Sequence, residues 1–132
     1  MTRADGARTG LALFFTAAGA MHFVAPAYYR QIVPSYLPAP DALVAASGVA
    51  EILGGMGLLV ARVRPAAGVW LMALLVAIFP ANVEMLRLFR ARGVPPVAEL
   101  LLWLRLPLQG VLIWWVWRLS RPNRQRNREV AA

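Results

Sequence analysis

The chain has 132 residues, of which 60% are apolar, with a formal net charge of +8 and no cysteine. This length fits one domain, and its apolar share exceeds the roughly 45–50% of ordinary soluble domains, which indicates a membrane protein. The lack of cysteine excludes disulfides, thiol exchange, iron–sulfur clusters and cysteine-bound zinc.

Four apolar segments predict four membrane-spanning helices, over about residues 8–24, 42–61, 66–87 and 97–119. A bilayer core of about 30 Å needs about 20 such residues, which the last three segments supply and the first nearly does. Proline stands at or beside the start of the last three, at positions 40, 65 and 96, as is typical of a first helical turn. We therefore predict an all-α, integral membrane four-helix bundle with up-down-up-down topology over residues 1–120.

The first segment has a second interpretation, as a cleaved signal peptide. Arg3 and Arg8 precede its apolar run, and "AGA" at residues 18–20 is similar to a signal-peptidase site. The apolar character, however, continues beyond that site through "MHFV". We therefore favour a retained first span.

The placement of the basic residues predicts the orientation. All of them are arginines, which indicates a GC-rich bacterial genome, and they cluster at the ends of apolar runs, which favours anionic lipid over nucleic acid as a partner. Nine lie on the side of the termini and of residues 62–65, against four on the other side. The positive-inside rule then puts both termini in the cytoplasm, in the inner membrane, with residues 121–132 as a basic tail.

Two charged residues fall near the middle of predicted spans. Glu51 lies about 15 Å and Arg105 about 14 Å from the same surface, at 1.5 Å per residue. An unpaired charge at that depth is costly, so we predict a Glu51–Arg105 ion pair in the bundle core. The pair either fixes helix register or belongs to a proton or ligand site, and the sequence leaves both open.

Three further polar residues, His22, Asn82 and Gln109, belong to the same half of the predicted spans. Gln109 lies one turn from Arg105 on the same helix face. With Glu51 and Arg105 they form a predicted buried polar or ligand-binding cluster of five residues, whose candidate catalytic groups are Glu51 and Arg105. A lone histidine without cysteine predicts no metal site.

Two prolines, Pro80 and Pro107, lie inside predicted spans beside members of this cluster. Each removes a backbone hydrogen bond and predicts a helix kink, with the carbonyls of Val76 and Trp103 left without their usual donors. Such carbonyls are tolerated where they face protein or a wet cavity. Their positions therefore favour an internal polar pocket.

Four stretches within residues 16–117, "GAMHFVAPAYYRQIVPSYLPAP", "SGVAEILGGMGLL", "FPANVEM" and "LWLRLPLQGVLIWW", resemble the DoxX-like family of small four-helix bacterial membrane proteins. The resemblance implies a redox-associated membrane subunit, because relatives are described as subunits or scaffolds of membrane oxidoreductases. Its motifs correspond here to His22, Phe23, Glu51, Gly54, Gly55, Pro80, Ala81, Asn82, Arg105, Pro107 and Gln109.

The leading hypothesis is a non-autonomous subunit or scaffold of a membrane redox system. A quinone in the outer-half pocket would meet Arg105, His22 and Gln109 as donors and Glu51 as proton acceptor. The alternatives are a small proton-coupled transporter and a passive membrane assembly protein. We expect a membrane or peripheral oxidoreductase as partner, because the chain supplies no redox group of its own. The sequence does not identify that partner, and it leaves a homo-oligomer open.

Overall fold

The structure, a computed structural model, describes residues 2–121, and residues 122–132 of the tail predicted at 121–132 lie outside the described residues. Within residues 2–121 all regular structure is helical. Five helices follow one another: α1 (Arg3–Val24), α2 (Pro26–Arg30), α3 (Pro40–Leu59), α4 (Arg64–Ala91) and α5 (Pro96–Ser120). The prediction of an all-α chain is confirmed.

Each of the four predicted spans coincides with one long helix, and the bounds differ by a few residues. The fifth helix, α2, was not predicted. Its five residues begin at Pro26, after Ala25 breaks the helical geometry between α1 and α2. Proline suits the first helical turn, where its missing N–H leaves no hydrogen bond unmade.

Three helices, α3, α4 and α5, are long and apolar enough to cross a membrane. The outward faces agree with this property, because large apolar side chains on them are exposed, among them Trp103, Leu108 and Trp114 on α5. Water would disfavour such a surface, whereas lipid tails cover it without cost. The fourth long helix, α1, carries Arg3, Asp5 and Arg8 in its first turns.

A packed apolar core fills one end of the helices. Its members come from the first half of α1, the end of α3, the first half of α4 and the end of α5: Leu11, Ala12, Phe15, Leu58, Ala67, Leu71, Leu75 and Val116. The same end is tied by Arg8, whose Nε donates a hydrogen bond to the Leu119 carbonyl, 3.1 Å away. The polar residues of the predicted cluster lie toward the other end of these helices.

Helices α1 and α3 approach closely at a pair of glycines. A Cβ on Gly19 would lie 2.6 Å from the carbonyl oxygen of Gly48, and a Cβ on Gly48 would lie 2.8 Å from the Cβ of His22. Any larger residue would therefore push the helices apart. This contact brings the last turn of α1, with His22, against the turn of α3 that carries Glu51.

The segment between α2 and α3, residues 31–39, folds back over the helix ends, and we name it the cover segment. Ile32 in it is buried, and Val33, Pro34 and Leu37 also line the cavity described below. At its edges, Arg92 donates to Gln31 at 2.9 Å, and Arg30 pairs with Asp41 at 3.1 Å. The cover segment thus closes one end of the helical assembly.

Candidate functional site

A cavity of about 420 Å³ lies beneath the cover segment, between α3 and α4, with contributions from α1 and α5. Cavities that hold small organic ligands measure roughly 300–1,000 Å³ and combine apolar walls with a few polar groups. This one has that character, since most of its lining is apolar. Four residues of the predicted cluster line it: His22, Glu51, Asn82 and Arg105. The fifth, Gln109, is buried directly behind Asn82.

Three of these residues form a chain of hydrogen bonds that ends on the backbone. Gln109 donates through Nε2 to the Leu75 carbonyl, Asn82 donates through Nδ2 to Gln109 Oε1 at 2.6 Å, and Arg105 donates through Nε to Asn82 Oδ1 at 3.0 Å. We name Arg105, Asn82 and Gln109 the amide relay. It connects α4 to α5.

The direction of the relay follows from its last acceptor. A carbonyl oxygen only accepts, so Gln109 must turn its amide nitrogen toward Leu75. Its amide oxygen then faces Asn82, which must donate to it and therefore turns its own oxygen toward Arg105. Every orientation is fixed by one backbone atom.

Arg105 is exposed at the edge of the cavity and uses only Nε within the described part of the chain. Its two terminal nitrogens carry further N–H donors. A guanidinium in the middle of a membrane-capable helix is costly unless it meets an acceptor or water. The relay therefore holds a positively charged donor at the cavity.

On the opposite wall, His22 of α1 faces Glu51 of α3. His22 Nδ1 lies 3.0 Å from the Ala18 carbonyl and 4.0 Å from Glu51 Oε2, and both residues are buried. Since the carbonyl only accepts, Nδ1 carries the hydrogen. Glu51 Oε2 is fully buried and has no hydrogen-bond partner in the structure. Such an unsatisfied oxygen is costly, and cavities that bind ligands are where proteins keep one.

The predicted Glu51–Arg105 ion pair is wrong: within the described residues, the ionisable side chain that lies within 4.0 Å of the Glu51 carboxylate is that of His22. Arg105 bonds to Asn82 instead. The physical reason is the helix order: α4 lies between α3 and α5, so its Asn82 reaches Arg105 first. Counting residues predicted a similar depth for the two charged residues, and both line one cavity.

Pro80 also lines the cavity, while Pro107 lies within α5 beside the relay. Both helices run through their prolines without ending. The sequence predicted a bond-free carbonyl at Val76, and the relay ends on its neighbour Leu75, in the same turn. The predicted kinks stay predictions.

Sequence reasoning missed other parts of the cavity. Tyr29 stacks on the His22 ring with centroids 3.8 Å apart, and Trp70 lines the cavity while its indole donates to the Ala50 carbonyl at 3.0 Å. Ser47 lines it too and donates its hydroxyl to the Val44 carbonyl. No sequence spacing singles out Tyr29.

Two surface carboxylates are paired outside the cavity. Glu84 pairs with Arg87 at 2.5 Å, as its spacing predicted. Glu99, in the first turn of α5, pairs with Arg90 of α4 at 2.7 Å. These pairs keep Glu84 and Glu99 away from the cavity chemistry and provide control positions for experiments.

Fold and site together define a small all-helical protein whose membrane-capable helices surround a mostly apolar cavity with a charged acceptor and a charged donor on different walls. A family model described as a domain of unknown function, DUF8561, matches residues 11–120, and the chain belongs to this family. The matched region contains every residue of the predicted cluster. Searches of curated proteins and of solved structures give no match.

Proposed function

We propose that this protein spans the bacterial cytoplasmic membrane four times, with both termini inside, and binds a quinone-sized ring in its cavity. In this proposal it acts as a non-autonomous subunit or scaffold of a membrane redox system. The resemblance of its motifs to the DoxX-like family supports the redox assignment. The three membrane-capable helices support the location.

One observation carries the ligand proposal. Glu51, whose buried Oε2 has no hydrogen-bond partner among the described residues, lines the same cavity as Arg105. A ring with oxygen atoms at both ends would span both groups: one oxygen accepts from Arg105, and the other, where it carries a hydroxyl, donates to Glu51. Its flat apolar body would suit the remaining walls. Redox chemistry would then belong to the bound quinone and to the partner oxidoreductase, because the chain has no cysteine and supplies only binding groups.

The test is a titration of the purified protein in lipid nanodiscs with decylubiquinone and with a short-chain menaquinone, each in both redox states. We expect saturable binding, followed by the fluorescence of the cavity residue Trp70 in protein whose other four tryptophans are replaced by phenylalanine. Arg105→Gln should weaken it at least tenfold. Arg87→Gln, a surface arginine paired with Glu84, is the matched control and should bind as wild type.

The result that ends the proposal is the absence of saturable binding of either quinone in either state. Equal binding by wild type and Arg105→Gln would also contradict it, because the compound would then partition into lipid or bind elsewhere. Affinity purification from native membranes tests the partner half of the proposal. We expect an oxidoreductase subunit to co-purify.

A second function, proton-coupled transport, is favoured by one specific observation. Glu51 is not neutralised by Arg105, so its carboxylate remains available to exchange protons with a cationic substrate. Export by such a carrier would require this carboxylate. Loss of proton-driven export in Glu51→Gln vesicles, with export retained in Glu84→Gln, would support transport over quinone binding.

A further inference from the structure

Apart from the Tyr29 hydroxyl, which can donate or accept, the polar groups of the cavity are sorted by hydrogen-bonding type. On the wall formed by α1 and α3, the ring N–H of His22 donates to the Ala18 carbonyl, and the hydroxyl of Ser47 donates to the Val44 carbonyl. What these two side chains offer the cavity is lone pairs, on Nε2 and on Oγ. Glu51 Oε2 adds another acceptor, and a carboxylate donates no hydrogen bond. We name these three residues the acceptor wall.

The wall formed by α4 and α5 has the opposite character. The relay commits the oxygens of Asn82 and Gln109 to bonds within the protein, as acceptors from Arg105 and Asn82. What remains toward the cavity is N–H: the terminal nitrogens of Arg105 and the second amide hydrogen of Asn82. We name Asn82 and Arg105 the donor wall. Trp70 does not alter the balance, because its indole N–H is bonded to Ala50.

A ligand that contacts both walls must donate to one and accept from the other. The oxygens of an oxidised quinone only accept, so the ring satisfies the donor wall and places a carbonyl oxygen against Glu51. A hydroquinone carries hydroxyls, each of which donates and accepts. It therefore satisfies both walls at once, and the buried Glu51 oxygen gains a partner.

We propose, on the basis of the proposed function, that the cavity binds the reduced, hydroxyl-bearing form of its ring ligand more tightly than the oxidised form. Glu51 is the residue that distinguishes the two forms. The carboxylate accepts the ligand hydroxyl, His22 and Ser47 flank it as acceptors, and Arg105 binds the oxygen at the far end of the ring. The oxidised form binds less tightly because its carbonyl oxygen faces the Glu51 carboxylate, and two acceptors form no hydrogen bond with each other.

The experiment compares three ligands with one ring on the same nanodisc-embedded full chain under anaerobic conditions. They are decylubiquinol, decylubiquinone and the O,O-dimethyl ether of decylubiquinol, which keeps the ring oxygens but has lost both donors. We expect decylubiquinol to bind about tenfold tighter than the quinone, the size of one charge-assisted hydrogen bond. The dimethyl ether should bind no better than the quinone.

A variant then assigns the selection to one residue. Glu51→Gln replaces a pure acceptor with an amide that also donates, so the reduced-over-oxidised ratio should fall to about one, largely through tighter binding of the quinone. The matched control Glu84→Gln makes the same change outside the cavity and should keep the wild-type ratio. The dimethyl ether comparison tests the same point on wild-type protein, whether or not the variant folds.

The outcomes separate the two proposals. If no form binds, the proposed function fails and this inference fails with it. If the quinone binds as tightly as the quinol, or tighter, the cavity binds a ring but does not select the reduced form, and this inference alone is overturned. An unchanged ratio in Glu51→Gln would likewise overturn the assignment to Glu51.

Discussion

Three side chains at the cavity act as one unit, because a single backbone oxygen determines how all of them are oriented. The Leu75 carbonyl fixes Gln109, Gln109 fixes Asn82, and Asn82 aims Arg105. Asn82 and Gln109 are buried, so each bond that is lost leaves a polar group without water to replace its partner. The relay is therefore expected to stabilise the α4–α5 contact as well as to position the cation.

A double-mutant cycle tests the unit. Asn82→Leu and Gln109→Met should each lower the free energy of unfolding in detergent by about 1–3 kcal/mol, because each leaves a buried partner unsatisfied. Together they should cost less than the sum, with a coupling on the order of 1 kcal/mol. Gln31→Met, which removes only a surface bond to Arg92, should add to Asn82→Leu without coupling. Strict additivity of the buried pair would show that the relay does not exist in solution.

At the first turn of α1, ahead of the predicted first span, Asp5 closes a capping box with Thr2. Asp5 accepts hydrogen bonds from the Thr2 hydroxyl at 2.8 Å and from the Thr2 backbone N–H at 3.0 Å, and from Arg8 at 2.8 Å. These bonds, with the Thr2 hydroxyl first, lower the pKa of Asp5 from 3.8 to about 2. A lowered pKa means that the stabilising contribution is complete above pH 3.8 and is lost as the pH falls through about 2.

Carbon-13 NMR titration of the Asp5 carboxyl checks this cap. Thr2→Ala should move the pKa of Asp5 back toward its ordinary value and allow the first turn of α1 to fray at a higher pH. Thr2→Ser keeps the hydroxyl and is the matched control, with the pKa expected near the wild-type value of about 2. A wild-type pKa near 3.8 would contradict the cap.

The sequence identified the polar residues of the site but not their partners. Depth along a span follows from counting residues, and it correctly placed Glu51 and Arg105 in one cavity. The depth of a residue along its span does not determine which helices are neighbours. Counting residues therefore could not predict that α4 lies between the helices that carry Glu51 and Arg105. The contact of Tyr29 with His22 was not predicted for a related reason: it depends on the short helix α2, which brings the Tyr29 ring back onto His22.

At the scale of elements, α1 and α3 are matched by the spacing of their buried faces. Leu11, Phe15, Gly19 and His22 form one stripe on α1, and Val44, Gly48, Glu51, Gly55 and Leu58 form the facing stripe on α3. The α3 stripe repeats at alternating intervals of four and three residues, and the α1 stripe at intervals of four, four and three, as is typical of one helix face. The small residues Gly19 and Gly48 lie at the point where the two helices approach most tightly.

Gly19→Ala tests whether that approach sets the helix pair. The added Cβ would lie 2.6 Å from the Gly48 carbonyl oxygen, which belongs to rigid backbone, so we expect a loss of about 1–3 kcal/mol in the free energy of unfolding. Gly10→Ala on the same helix is the control, because its Cβ would meet no atom within 4 Å. It should leave stability unchanged or raise it by about 0.5–1 kcal/mol, the usual gain of alanine over glycine in a helix.

If the two alanine variants lose the same stability, the close contact of α1 and α3 is not formed as described. Thermal unfolding of both proteins in one detergent gives the comparison. A selective effect of Gly19→Ala on ligand binding is also expected, since separation of α1 from α3 would move His22 away from Glu51.

For the whole molecule, packing divides the helices into a dry end and a polar end. The apolar core occupies the half near the α1 N-terminus, and the cavity with the cover segment occupies the other half. Hydropathy predicted four long helices and their approximate bounds, because each is a long and predominantly apolar run. It did not predict the cover segment, whose position depends on the packing of Ile32 and its neighbours rather than on a periodic pattern.

Single cysteines test the four-span topology without background labelling, because the chain has no native cysteine. We expect Thr2→Cys and Ala61→Cys to react with an impermeant maleimide only in inverted vesicles, and Ser35→Cys only in right-side-out cells. If α1 does not cross, Thr2→Cys will share the accessibility of Ser35→Cys, opposite to Ala61→Cys. That result would contradict four spans while retaining three.

The proposal that a quinone binds in the cavity is tested most directly by the position at which a quinone contacts this chain. An azido-quinone bound to the nanodisc-embedded protein, cross-linked by light and located by mass spectrometry, gives that position. Binding in the cavity predicts cross-links to cavity residues such as Ser47, Trp70 and Tyr29. Excess decylubiquinol should abolish these cross-links. Cross-links confined to the exposed apolar face of α5, at Trp103, Leu108 or Trp114, and insensitive to the competitor, would contradict the proposal.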